Sequence, residues 1–127
     1  MNEQNSNDSQ LLFDPRFGEA LKLFNSAKWY PAHDALEELW HETNGPERNT
    51  LQGLLQVAVA QVHLESGNSN GATILYGEGL GRLRRAGTPD LGIDLEHLCS
   101  LLEQRLKSLQ RQENIEIFNN PLILERS

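Results

Sequence analysis

The chain has 127 residues and a net charge of −7, with 11 Lys and Arg against 18 Asp and Glu. One domain accounts for that length, and an acidic surface repels phosphate backbones, which disfavours a general nucleic-acid binder. No stretch approaches the ~20 apolar residues of a membrane span, no basic start leads into the apolar run of a secretory signal, and the single cysteine, Cys99, cannot form an intrachain disulfide. A cytoplasmic location is the expectation that remains.

Residues 1–12 are expected to form a disordered arm, because Met1 to Gln10 are almost wholly polar and cannot offset the entropy of ordering. A first helix starts at the cap Asp14 with Pro15 in its first turn and should end near Lys28. Phe13, Phe17, Ala20, Leu21 and Phe24 recur on one face of it. A second helix is predicted from Pro31 to Thr43, stopped by Asn44-Gly45-Pro46. It gathers Ala32, Ala35, Leu36, Leu39 and Trp40 on one side and Asp34, Glu38 and Glu42 on the other.

The third helix, Pro46 to Ser66, carries Leu51, Leu54, Leu55, Val57, Ala58, Val59, Ala60, Val62 and Leu64. An apolar surface on nearly every side predicts the central helix of a bundle. A fourth helix spans Ser69 to Ala86 despite Gly77, Gly79 and Gly81, each of which costs about 1 kcal/mol relative to Ala. Gly77 and Gly81 share a face, so close helix approach there would compensate; a break near Tyr76 is the alternative. Arg82, Arg84 and Arg85 close this helix and complement its dipole. A fifth helix runs from the cap Asp94 to about Gln112, with Cys99 as a small core residue. The fold class is all-α: a compact bundle of four to five helices over residues 13–113, with a central apolar helix. Residues 114–127 should lie extended against the body or a second subunit, because Pro121 interrupts any helix while Ile115, Ile117, Phe118, Leu122, Ile123 and Leu124 resist solvent. A homo-oligomer is compatible with that tail.

Polar residues break the apolar pattern at related positions. Gln52, Gln56 and His63 fall within a sector about 40° wide on the third helix, while Gln61 points the opposite way. On the second helix His33 and Glu37 form an i, i+4 pair, with Trp40 beyond them. The short connection at Asn44-Gly45 makes these helices antiparallel neighbours, so the five polar residues could converge on a pocket walled by Trp40. A carboxylate beside an imidazole tunes it as an acid or base. His33, Glu37 and His63 would also make a three-ligand set for a divalent metal, and paired glutamines suit a small polar ligand. The bland alternative is a solvent-facing stripe on the third helix and a surface His–Glu pair worth a few tenths of a kcal/mol. There is no His-Glu-x-x-His and no Gly-x-Ser-x-Gly, so whether the chain is an enzyme stays open.

Ala32-His-Asp-Ala-Leu-Glu-Glu-Leu-Trp40, Glu47-Arg48, Leu51-Gln-Gly-Leu-Leu-Gln-Val-Ala58, His63 and Gly67-Asn-x-x-Gly-Ala72, in that order, resemble the family called domain of unknown function 309. The resemblance covers roughly Phe17 to Leu95 and implies a small helical protein with no assigned reaction. It implicates His33, Glu37, Trp40, Gln52, Gln56 and His63. Asp34 departs from the Glu that the family usually carries beside its first His. The leading expectation is a small-molecule or metal-binding domain with a polar site between the second and third helices. The alternative is a non-enzymatic interaction module whose polar cluster is structural and whose function sits on the acidic face or the Ile115–Leu124 tail.

Overall fold

A computed structural model describes residues 11–115 and 120–127. The expected arm over residues 1–12 therefore lies largely outside the described residues, as do Ile117 and Phe118 of the tail. Five helices follow in order: α1 (Pro15–Asn25), α2 (Trp29–Glu42), α3 (Glu47–Glu65), α4 (Ser69–Arg84) and α5 (Leu95–Gln110). A helical turn at residues 11–13 precedes them, giving six helical segments among the described residues where the sequence predicts four to five. Each helix packs on the next in sequence, and α3 with α4 form the most extensive contact. Among the described residues the only β pairing is an isolated antiparallel bridge, Ile93 to Glu125, and no helix is long and apolar enough to cross a membrane.

Local chemistry sets the starts. The Asp14 carboxylate accepts from the Arg16 amide, and Asp94 accepts from the His97 amide; each satisfies a donor that the first helical turn leaves free. Asn68 caps α4 by accepting from Gly71. Arg16 then ties α1 to α2, donating to both Glu42 oxygens at 2.8 Å and to Asp14 at 2.9 Å. Hydrogen bonds from that guanidinium hold both carboxyls below their ordinary range. Phe13 does not join the apolar stripe of α1: it precedes the helix and is 83% exposed, and Leu11 is buried instead.

The core is formed by Phe17, Ala20 and Phe24 of α1, Leu36 and Leu39 of α2, and matching positions of α3, α4 and α5. Helix α3 contributes Leu51, Leu54, Val57, Ala58 and Ala60 to it, yet it also buries Glu47, Thr50, Gln56 and Gln61. It is therefore not apolar all round; the burial of its polar residues depends on partners that periodicity does not reveal. Helix α4 runs unbroken through Tyr76. The close approach that justifies its glycines falls at Gly79, not at Gly77 and Gly81. A Cβ at Gly79 would meet the Gly53 carbonyl oxygen at 3.0 Å and Val57 Cγ2 at 3.1 Å, whereas nothing lies within 4 Å of a Cβ at Gly77 or Gly81.

Residues 120–127 run extended along the body. Asn25 clamps this segment, donating to the Ile123 carbonyl at 2.9 Å and accepting from its amide at 2.8 Å. The Asp94 amide donates to Leu124 and the Arg126 amide to Gly92, and Pro121 and Ile123 are buried.

Candidate functional site

Helix α3 separates two polar clusters. Between Glu47 and Gln61 only Arg48, Asn49, Gln52, Leu55 and Val59 are less than fully buried. With 3.6 residues per turn these positions span a face about 120° wide, which Gln56 and, further on, His63 share. This stripe forms the floor of a groove, with α2 along one side and α4 along the other.

On the α2 side, Arg48 lies with its guanidinium 3.7 Å from the centroid of the Trp40 ring and donates from Nε to the Trp40 carbonyl at 3.3 Å. That cation–π stack places Trp40 level with Arg48. Stepping back along α2 and forward along α3, Glu37 falls level with Leu51 and Gln52, and His33 with Leu55 and Gln56. His33 is half-buried. Its Nδ1 lies 3.2 Å from Asp34 Oδ1 and its Nε2 lies 3.9 Å from Glu37 Oε2, so a carboxylate stands at each ring nitrogen. Trp40 Nε1 is buried with no hydrogen-bond partner among the described residues.

On the α4 side the groove is tied down. Gln56 Nε2 donates to Glu78 Oε1 at 3.1 Å, and Gln56 Oε1 accepts from Arg82 Nε at 3.1 Å. Arg82 also donates from Nη1 to Asn49 Oδ1 at 3.2 Å, and Asn49 Nδ2 donates to the Arg82 carbonyl at 2.9 Å. The Arg82 guanidinium thus spans α3 from Asn49 to Gln56 and passes the level of Gln52. Sequence periodicity treats Arg82 as a helix-end cation and does not single out Asn49 or Glu78. The one available signal was their i, i+4 spacing, Glu78 to Arg82, on the helix that follows the glutamines.

Of the six residues expected to converge, His33, Glu37, Trp40, Gln52 and Gln56 share this groove by helix register. His63 does not reach it at the same level. It lies seven residues beyond Gln56, about 10 Å along the axis, past the start of α2, and it accepts from Asn68 Nδ2 at 3.2 Å. Among the described residues no group of three or more His, Cys, Asp or Glu is placed to hold a metal.

The second cluster lies behind α3 and is sealed. Gln61, pointing opposite to Gln52, accepts from the Tyr76 hydroxyl and from Arg105 Nη2, the latter at 3.1 Å. Arg105 Nε donates to the Tyr76 hydroxyl at 2.8 Å. Gln61 and Arg105 are 4% exposed and Tyr76 is fully buried. Burial pushes the Tyr76 phenol up to about 12 against the opposing pull of Arg105. Neither Tyr76 nor Arg105 was singled out from sequence, since both sit where periodicity expects ordinary helix residues.

Residues 17–75 match the family model described as Domain of unknown function (DUF309). The match begins at Phe17, as the sequence motifs imply, and ends at Leu75 rather than near Leu95. It takes in most of α1, all of α2 and α3 and the first part of α4, and so the floor and the α2 wall of the groove, but not Glu78 or Arg82. No curated protein matches the chain.

Proposed function

We propose that the chain is a small-molecule-binding domain whose site is the groove over α3, with His33, Glu37, Trp40, Gln52 and Gln56 contributing and Arg82 closing the α4 side. The observation that carries this reading is the contrast within one helix. Gln56 is fixed by partners on both ends of its amide, whereas the side-chain amide of Gln52, one turn away and half-buried, has no hydrogen bond to the described residues. A side chain with both a donor and an acceptor unspent, on a floor whose neighbours are ordered, is available to a polar ligand. His63 belongs to the far end of the groove and has no part in the core of the site.

The competing reading, an interaction module acting through the tail, fits less well. Pro121 and Ile123 are buried, and Asn25 holds the Ile123 backbone at both its amide and its carbonyl, so this stretch has limited freedom to capture a partner.

The test is a thermal-shift survey of the full chain with small anionic, neutral and cationic polar compounds, repeated on Gln52→Leu. A ligand that raises the melting temperature of the native protein and loses that effect in the variant supports the site. If no compound shifts the native protein, or if every shift survives in Gln52→Leu, the groove is not the binding site.

A further inference from the structure

Resting on the groove as the site, we infer that its ligand is recognised through an oxyanion, a carboxylate or phosphate, held between Arg48 and Arg82 at the end of the groove nearest the start of α3.

Both guanidiniums carry a permanent charge, and both are half-buried. The groups that order them are neutral. Arg48 has the Trp40 ring and a backbone carbonyl; Arg82 has the side-chain oxygens of Gln56 and Asn49. Among the described residues neither forms an ion pair. Several more exposed cations do so: Arg16 with Asp14 and Glu42, Arg84 with Glu103, and Arg126 with Asp90. A chain with seven more acids than bases has carboxylates to spare, so two ordered arginines without one stand out.

Their placement is also specific. Arg48 leans from α3 toward α2 and Arg82 reaches from α4 onto Asn49 and Gln56 of α3, with the free amide of Gln52 on the floor between them. Arg82 spends Nε and Nη1 on α3 and retains Nη2, with no partner among the described residues, for a ligand. Trp40 Nε1, on the same wall as Arg48, is a further buried donor without an acceptor. Guanidinium forks match the planar spacing of carboxylate and phosphate oxygens, and the first turn of α3 adds the positive end of a helix dipole. One turn further along, about 6 Å, Glu37 and Glu78 face the groove from opposite sides. They repel a second negative group, so the remainder of the ligand is neutral or cationic.

The experiment is a titration of the full chain with sodium acetate and with sodium phosphate at constant ionic strength, following arginine Nε–Hε resonances by NMR, with chloride as control. Saturable shifts of the Arg48 and Arg82 signals are expected, with acetate, phosphate or both, and not with chloride. Arg48→Gln should abolish saturation. Arg82→Lys, which keeps the charge but loses the fork, should weaken it about tenfold; circular dichroism and urea unfolding of each variant separate lost binding from lost fold. Linear drift with both anions, or saturation that survives in folded Arg48→Gln, overturns the inference. If both anions fail while a neutral or cationic compound of the survey loses its effect in Gln52→Leu, the groove stands and the oxyanion assignment falls. If nothing binds in either experiment, both fall.

Discussion

Helix α3 bears glutamines on opposite faces, and their surroundings differ in kind. Gln61 is enclosed with Tyr76 and Arg105, each polar group bonded to another and all three shut off from solvent. Gln52 sits half-exposed on a groove floor beside two ordered arginines. A buried polar group with its bonds made fixes one packing of the helices, and breaking it costs the desolvation of whatever is left behind. A half-open polar group with bonds unmade contributes little to folding and remains available to something else. The same residue type on the same helix therefore serves stability on one side and, on the other, is left to the recognition role proposed for the groove.

The largest expected effect comes from opening the sealed face. Arg105→Ala removes donors from both Tyr76 and Gln61 and leaves a void, and should cost about 3 kcal/mol in urea unfolding. A cost below about 1 kcal/mol would mean that the sealed cluster is not a unit.

The Tyr76 phenol gives the same face a pH signature. Its folded value is raised to about 12 from an ordinary 10, so above pH 10 the unfolded chain loses this proton while the folded chain keeps it. Stability should be unaffected below pH 10 and fall between pH 10 and 12 by roughly 2–3 kcal/mol. Comparing native protein with Tyr76→Phe over that range isolates the phenol, and equal slopes would contradict its burial.

Backbone contact sharpens the contrast next. Gly79→Ala presses a methyl against the Gly53 carbonyl and Val57, where neither helix can yield cheaply, and should destabilise by about 1–3 kcal/mol. Gly77→Ala meets nothing within 4 Å and should instead stabilise by about 0.5–1 kcal/mol through helix propensity. Similar outcomes for the two would show that α3 and α4 do not touch at Gly79.

Features set by a few adjacent residues were legible in the sequence. Asp14-Pro15, Asn44-Gly45 and Asp94 mark helix ends because capping and turn chemistry are local. The two faces of α3 were legible too, because helical period separates Gln52 and Gln56 from Gln61. What period cannot supply is the neighbour. It put the close approach of α4 at Gly77 and Gly81, and left Arg82 as a dipole cap, because both depend on how α4 is rotated against α3. His63 shares an angular sector with Gln52 and yet lies further along the axis, beside Asn68, a separation fixed by where α2 begins. Phe13 looked like core from spacing alone, but it precedes the Asp14 cap and turns outward.

The most direct test of the account is urea unfolding of Gln61→Ala beside Gln52→Ala at neutral pH. The sealed glutamine should cost about 1–3 kcal/mol, since Tyr76 and Arg105 lose their acceptor, while the groove glutamine should fall within about 0.5 kcal/mol of the native protein. Equal and substantial losses at both positions would contradict the division of labour across α3 and make the groove one more structural network.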